Sequence, residues 1–586
     1  MPAPPVVRSD SMSDTMPTTR GLNFYLADPN LEFVCSTLMD PATLDRARPE
    51  LVELGRLAGD ELESLAVDAD RNPPVLRAWS PAGERIDEVV RHPAYRAMER
   101  LAFSRFGLAA MSHREGVLGW PGLVPHVVKY ALSYLFAESE FGLLCPVNVT
   151  DSTSRMLRHY GSEDLRERYL SRLTSTEFET LWQGTQWMTE KTGGSDVGAV
   201  TTVARRDGDG TWRLWGDKWF CSNANTDVAL TLARPEGAPA GTKGLAMFLV
   251  PRLLPDGTKN AWTINRLKDK LGSRSMATGE VTYAGAVAYV VGDPARGFHQ
   301  MMEMVNVSRL SNAVRAAAIM RRCLLEAVVH ARGRVAYGQP LAALPLLRED
   351  LLDMLLDAEG AASAVLHAAA VLDRWDGGDA AARPLFRTLT PLLKCWTTAR
   401  ARVVAGQAMN VRGGNGYVED WPNARLLRDS FLGAIWEGST NVVALDVQRA
   451  LMREGGLDAL GPFIAARVDA VTEPHAKPTV DTVRAVLDDV TLQVHGWAAL
   501  APHDRERAAR PVAETLYHAV VTSLLLGEGE VLRERSGDGR KLLIGALYAR
   551  KWLRRDTSLL PWSVLERLDA LIDWTPVPMG ALTALG

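Results

Sequence analysis

The spacing of apolar residues changes period twice along this chain, and that constrains its fold more than any other feature. From about residue 41 to 180 they recur at helical intervals, as in YRAMERLAFSRFGLAAM and LVPHVVKYALSYLFAESEFGLL. From about 183 to 290 the pattern alternates. TTVARRDGDGTWRLWGDKWFCS bends at Asp207-Gly208-Asp209-Gly210, a hairpin signal, and VALTLARP, LAMFLVPR and GEVTYAGAVAYVV read as further short strands. After Gly297 the helical period returns. It is interrupted at Gly338/Pro340 and at Gly413-Gly414-Asn415-Gly416, and it runs to about residue 453. A last helical stretch, 456–586, is more charged and less regular, and no internal repeat is present.

These textures predict an α+β chain in which a strand-rich domain lies between helical ones. The expected divisions are a disordered leader (1–20), a helical domain (21–182), a strand domain (183–296), a helical domain (297–455) and a C-terminal helical extension (456–586). At 586 residues the chain is too long for one core, and three or four domains are expected. The leader, MPAPPVVRSDSMSDTMPTTR, has no apolar segment and does not read as a signal peptide.

A formal charge of −4 gives no whole-molecule attraction to nucleic acid or to an anionic membrane. Five cysteines (Cys35, Cys145, Cys221, Cys323, Cys395) lie without C-x-x-C spacing, which argues against a disulfide framework and a zinc site and suits a reducing cytoplasm. Nowhere do 18 apolar residues run together. The nearest approach, GAASAVLHAAAVL (360–372), is flanked by Asp357, Glu359 and Asp373, so a buried core helix is expected and no membrane insertion.

Four short stretches carry possible chemistry. M-T-E-K-T-G-G-S-D-V-G (188–198) combines small hydroxyl residues with paired glycines, which lets backbone N–H groups approach a ligand; a polar connecting loop has the same composition. G-D-K-W-F-C-S (216–222) puts aromatics beside a serine in a strand, where core packing is the simpler reading. V-R-G-G-N-G-Y (411–417) follows a helix and also serves simply to end one; it opens no strand–turn–helix unit, so no Rossmann fingerprint applies. I-W-E-G-S-T-N (435–441) sets Glu437 among apolar neighbours just ahead of a helix that Ser439 or Thr440 can cap. A carboxylate favoured by the helix dipole and a catalytic base both fit that position.

Taken together and in order, with R-G-R-V-A-Y-G-Q-P-L (332–341) between the second and third, these stretches resemble the acyl-CoA dehydrogenase family. The wording M-T-E-K-x-G-G-S-D-V, R-L-K-D-K-L-G-S-R-S (266–275), L-C-P (144–146), I-W-E-G-S and the tail after residue 455 resemble its AidB-type, alkylation-response branch. The resemblance implies an N-terminal α-helical domain, a middle β-barrel, a C-terminal four-helix bundle and an extra C-terminal helical domain. FAD is implied between barrel and bundle.

Position by position, the resemblance puts Met188 and Thr189 on the isoalloxazine, Ser195 on a phosphate, and Phe220 over the ring with Cys221 and Ser222 beside it. Asn441 matches a residue near the adenosine, with Ile435, Trp436 and Gly438 alongside. Arg334, Tyr337, Asn410, Gly413 and Gly414 match positions that reach the FAD of a neighbouring subunit in a homotetramer. Arg309 matches an arginine near the active site, and Glu437 falls on the base that removes the α-proton of an acyl-CoA thioester while a hydride leaves for flavin N5. In one branch the base comes from the helix before the arginine, where this chain has Ser308. Phe220 departs from the tryptophan of many relatives. Electron-transfer flavoprotein is the implied acceptor.

The AidB-type branch also implies weak double-stranded DNA binding that shields DNA from alkylation. Residues 453–586 hold 16 Lys+Arg against 18 Asp+Glu, near neutral overall. Within them Arg540, Lys541, Arg550, Lys551, Arg554 and Arg555 are the candidate DNA contacts, with a solvated or ion-paired surface as the alternative. A flavin-dependent oxygenase is a third reading, disfavoured by the retention of Glu437.

Overall fold

The computed structural model describes residues 16–208 and 211–585. Two compact units form, each drawn from separated stretches. One comprises Glu61–Pro125 and Ser139–Ser311; the other comprises the described residues up to Asp60, His126–Glu138 and everything described from Asn312 on. The helical stretch 21–182 is thus shared between the units.

The first unit is organised around a closed sheet. After a hairpin of β1 (Val75–Trp79) and β2 (Arg85–Val90) come β3 (Gly184–Trp187), β4 (Val203–Arg206), β5 (Trp212–Ser222), β6 (Val228–Pro235), β7 (Ala246–Pro251), β8 (Trp262–Leu267) and β9 (Thr278–Val290). Strands β6, β4, β5, β9 and β7 pair in that order and β7 returns to β6, while β3 flanks β6 and β8 flanks β9. The expected hairpin is β4–β5, with Arg206 opposite Trp212; Asp209 and Gly210 of its turn lie outside the described residues. Alternation along β5 sends Leu214 and Lys218 inward, and a register shift against β9 between Lys218 and Cys221 turns Cys221 inward as well. Trp187, Ile264, Val281 and Tyr283 meet Leu214 and Cys221 in the core, with Trp187 edge-on to Trp262 at 5.2 Å. Helix α1 (Leu144–Tyr160), which opens on L-C-P, packs along β3, where Thr150 Oγ1 accepts from the Gly184 N–H at 3.0 Å.

The β1–β2 hairpin interrupts a stretch read as helical. Burial along β1 alternates between half-buried and exposed, β2 buries only Val89, and the hairpin turns at Gly83 with φ +81°.

The second unit is helical. It takes in the C-terminal part of α2 (Gly297–Gly333), then α3 (Pro345–Asp376), α4 (Ala382–Arg412), α5 (Pro422–Gly433) and α6 (Thr440–Arg453). The extension adds α7 (Gly456–Asp469), α8 (Lys477–Gly496), α9 (Pro502–Ser536) and α10 (Arg540–Trp552). Helix α3 is long and apolar enough to cross a membrane, but 89% of its most apolar window is buried among its neighbours. That is the core helix expected from GAASAVLHAAAVL.

Residues 1–15 of the expected leader lie outside the described residues. Its end is ordered: Thr19 is buried and its hydroxyl donates to Glu326 on α2. All five cysteines are free and buried.

Candidate functional site

In the sheet unit the backbone brings two of the four motifs side by side. The Trp219 N–H donates to the Thr189 carbonyl at 2.9 Å, and Thr185 Oγ1 and Trp187 Nε1 both donate to the Ser222 carbonyl, at 2.9 and 3.0 Å. Met188, Thr189 and Ser222 are half-buried there, and Ser195 is exposed. Phe220 leaves 56% of its surface exposed, although a phenylalanine in a strand normally buries its ring. Lys268 caps this aromatic pair, with Nζ 3.4 Å from the Trp219 ring centre and 5.1 Å from that of Phe220. Gly194 packs against Thr189 so closely that a Cβ would stand 2.6 Å from its Oγ1. A half-exposed ring, hydroxyls and a closely packed glycine loop make a surface that fits a flat, anion-bearing cofactor such as FAD.

Cys221 does not belong to that face. Adjacent strand residues point to opposite sides, and its thiol is fully buried in the sheet core, where burial raises its pKa.

What organises the loop is Glu190, which sequence reasoning left out of the site. It accepts from the backbone and hydroxyl of Thr201 (2.7 and 2.6 Å), from those of Thr202 (3.1 and 2.5 Å), and from Lys218 Nζ at 2.9 Å. Burial alone would raise its pKa, but Lys218 and the two hydroxyls outweigh burial and hold it at about 2. Its position inside M-T-E-K was the available signal.

Arg309 sits in the part of α2 that belongs to this unit, buried, with Nη1 donating to Asn306 Oδ1 at 3.3 Å. Ser308 beside it is fully buried and accepts from Asn148 Nδ2 at 3.1 Å. The alternative base position therefore holds a hydroxyl already engaged by α1.

In the helical unit, I-W-E-G-S-T-N forms the turn between α5 and α6. Glu437 adopts φ +58° and Gly438 φ +99°. Two successive left-handed residues reverse the chain abruptly. Glycine does this without cost, whereas glutamate is strained by about 1–2 kcal/mol. Glu437 is half-buried, with its Oε2 shielded from solvent. Ser439 occupies the cap position of α6 with extended backbone, but its side chain makes no cap hydrogen bond.

Two helices hold the turn. From α2, Asn312 Nδ2 donates to the Gly433 carbonyl at 2.9 Å, and the buried Arg315 guanidinium lies 4.6 Å from the Trp436 ring centre. From α4, Lys394 Nζ donates to the Gly438 carbonyl and Cys395 Sγ to that of Thr440 at 3.5 Å. None of these four was found from sequence, because a buried polar residue on a helix carries no mark of which distant carbonyl it meets. Ile435 and Asn441 are exposed at either end of the turn.

The remaining residues of this unit's group are all on the surface. Arg334 leads into a hairpin, Val335–Ala336 with Gln339–Pro340, closed by Tyr337 (φ +53°) and Gly338 (φ +76°). Tyr337 is 90% exposed. Asn410, Gly413 and Gly414 are exposed where α4 ends, with Gly413 at φ +66°.

The C-terminal basic stretch is not a basic face. Arg540 and Lys541 are fully buried: Arg540 Nη1 donates to Glu359 Oε2 at 3.0 Å, and Lys541 Nζ lies 2.8 Å from Glu528 Oε2. Neither reaches solvent, so neither contacts DNA. Arg550 is buried against Asp556 (2.9 Å) and the Ser558 carbonyl (2.6 Å), and Lys551 pairs with Asp353 at 2.9 Å. Arg554, exposed, donates to Thr482 Oγ1 at 3.1 Å, and Arg555 is exposed. Among the six candidates only these last two are exposed, so the six do not form one basic face.

Known family models cover most of the chain between residues 14 and 452. Residues 14–180 match the adaptive response protein AidB N-terminal domain, 185–286 the acyl-CoA dehydrogenase middle domain and 295–452 the acyl-CoA dehydrogenase C-terminal domain. Acyl-CoA dehydrogenase family member 11 of Caenorhabditis elegans is 32% identical over 89% of this chain and 86% of its own. A putative acyl-CoA dehydrogenase, AidB of Escherichia coli, is 36% identical over 70% and 72%. The crystal structure of C. elegans ACDH-11 in complex with C11-CoA superposes with a TM-score of 0.86 at 28% identity, covering 97% of each chain. The chain therefore belongs to the acyl-CoA dehydrogenase family, in the branch that carries the AidB-type N-terminal domain.

Proposed function

We propose that this chain catalyses α,β-dehydrogenation of an acyl-CoA thioester, with Glu437 as the base. The observation that carries this is the turn at Glu437. A strained, non-glycine residue at φ +58°, with one carboxylate oxygen shielded from water, is held from two helices at the position the family resemblance gives to its base. Strain of that kind persists where surrounding structure over-determines it, and it concentrates at reactive residues.

The proton at the substrate's α-carbon is weakly acidic, so its removal needs a base whose proton affinity approaches that of the forming enolate. The shielded Oε2 keeps one side of the Glu437 carboxylate away from bulk water. Glu437 takes the proton on a carboxylate oxygen, and Arg309, in the role the family resemblance gives it, orders the helix on which Arg309 itself lies. Met188, Thr189, Ser195, Phe220 and Ser222 hold FAD, which when bound supplies the acceptor for the substrate's β-hydride.

The relative whose structure holds C11-CoA supports a medium-to-long acyl chain as substrate. Electron-transfer flavoprotein is the proposed acceptor. A homotetramer is supported by the surface group Arg334, Tyr337, Asn410, Gly413 and Gly414, where a tyrosine stands 90% exposed at a hairpin tip. Five buried free cysteines support residence in a reducing cytoplasm.

Anaerobic titration of the FAD-loaded protein with straight and branched acyl-CoAs tests the reading. Loss of the flavin's visible absorbance with straight medium-to-long chains is expected. Persistence of the oxidised spectrum with every thioester would refute it.

A further inference from the structure

Lys394 lies on α4 within L-L-K-C-W, and its side chain is fully buried. A buried ammonium is costly unless its donors are engaged. Here Nζ donates to the carbonyl of Gly438, the residue after Glu437. The adjacent Cys395 Sγ reaches the Thr440 carbonyl at 3.5 Å, so one turn of α4 grips the backbone on the C-terminal side of the glutamate. On the N-terminal side Asn312 holds the Gly433 carbonyl at 2.9 Å and Arg315 lies against Trp436 at 4.6 Å. Within this clamped segment Glu437 is the strained residue, followed by a left-handed glycine that bears no strain.

We propose that Lys394 is a positioning residue for Glu437: its grip on the Gly438 carbonyl holds the peptide after Glu437 and thereby keeps the glutamate in the left-handed conformation. A charge-assisted hydrogen bond to a carbonyl is strong and directional in a dry setting. Without it the turn relaxes toward an unstrained backbone and the carboxylate moves. The catalytic part of this inference rests on Glu437 being the base; the conformational part does not.

Two measurements on the full-length, FAD-loaded protein separate them. In stopped-flow reduction by an acyl-CoA, Lys394→Met is expected to slow flavin reduction about 100-fold, the scale of a misplacement near 1 Å, with substrate affinity and FAD content unchanged. A wild-type reduction rate in that variant would overturn the catalytic part. The second measurement needs no catalysis. Glu437→Gly removes the strain and is expected to raise Tm in the Lys394 background, but to give no gain in Lys394→Met, where the strain is already released. An equal gain in both backgrounds would overturn the proposal even if the base assignment stands. If no thioester reduces the wild type, the base reading fails and this cycle still decides the role of Lys394. Should Lys394→Met not fold, Lys394→Gln keeps a neutral donor; intermediate values in both assays are expected, and wild-type values in both would overturn the proposal.

Discussion

Lys541 Nζ stands 2.8 Å from Glu528 Oε2, with both side chains essentially excluded from solvent. The pair joins α10 to α9. Through Glu359, 3.4 Å from Lys541 and hydrogen-bonded by Arg540 at 3.0 Å, it also ties the C-terminal extension to core helix α3. The basic tail thus serves as an internal fastening.

Removing one member of such a pair leaves an uncompensated buried charge, which typically costs roughly 3–5 kcal/mol. Lys541→Met is expected to lower the stability of the helical unit on that scale, measured by chemical denaturation. Arg554→Ala, at an exposed position, should change it by less than about 0.5 kcal/mol.

Glu528 also predicts an acid limit. Burial alone would raise its pKa, but Lys541 and His367 overcome that and hold it at about 2. A depressed carboxylate stabilises the fold above its unfolded pKa, near 4.5, and that contribution is lost as pH falls toward 2. A shift of this size corresponds to about 3 kcal/mol. Stability followed from pH 6 to pH 2 should fall across that window, and the fall should be shallower in Glu528→Gln.

Glu138 behaves oppositely. It is fully buried, and neither carboxyl oxygen has a hydrogen-bond partner among the described residues. Burial, with Asp28 nearby, pushes its pKa well above the usual range despite Arg321 and Arg322. A raised pKa makes the native state hold its proton, so this group penalises folding as pH rises past 4.5. Glu138→Gln should match or exceed the wild-type Tm at pH 7, with the difference vanishing below pH 4. A marked loss at pH 7 would show the carboxyl to be charged and paired.

The cofactor face has its own test. Adding a methyl at Gly194 brings it to 2.6 Å from Thr189 Oγ1, so Gly194→Ala must displace one of the two. A reduced ratio of flavin to protein absorbance after gel filtration is expected, with the fold intact by circular dichroism. Full FAD retention would remove this loop from the site.

The order of helices, sheet and helices was legible because periods of 3.6 and 2 differ over long stretches. The β1–β2 hairpin was not, since its strands are five and six residues long, half-exposed, and set in a helical surrounding. Glu437 stood out in the sequence through its apolar setting and its place in the motif order. Its left-handed backbone did not, because the turn's partners Lys394, Asn312 and Arg315 lie on helices distant in sequence. Likewise, the six cations between Arg540 and Arg555 read as a possible surface. Their true partners, such as Glu359 at 181 residues from Arg540, are not visible to local spacing.

The most direct test of the account is the rate of anaerobic flavin reduction by an acyl-CoA that bleaches the wild type, compared with Glu437→Gln. The glutamine keeps size and turn but cannot take a proton. The variant is expected to keep its FAD and bind the thioester while reduction slows by about 10²–10⁴-fold, the range for loss of a general base. Reduction at the wild-type rate would contradict it and move the base elsewhere.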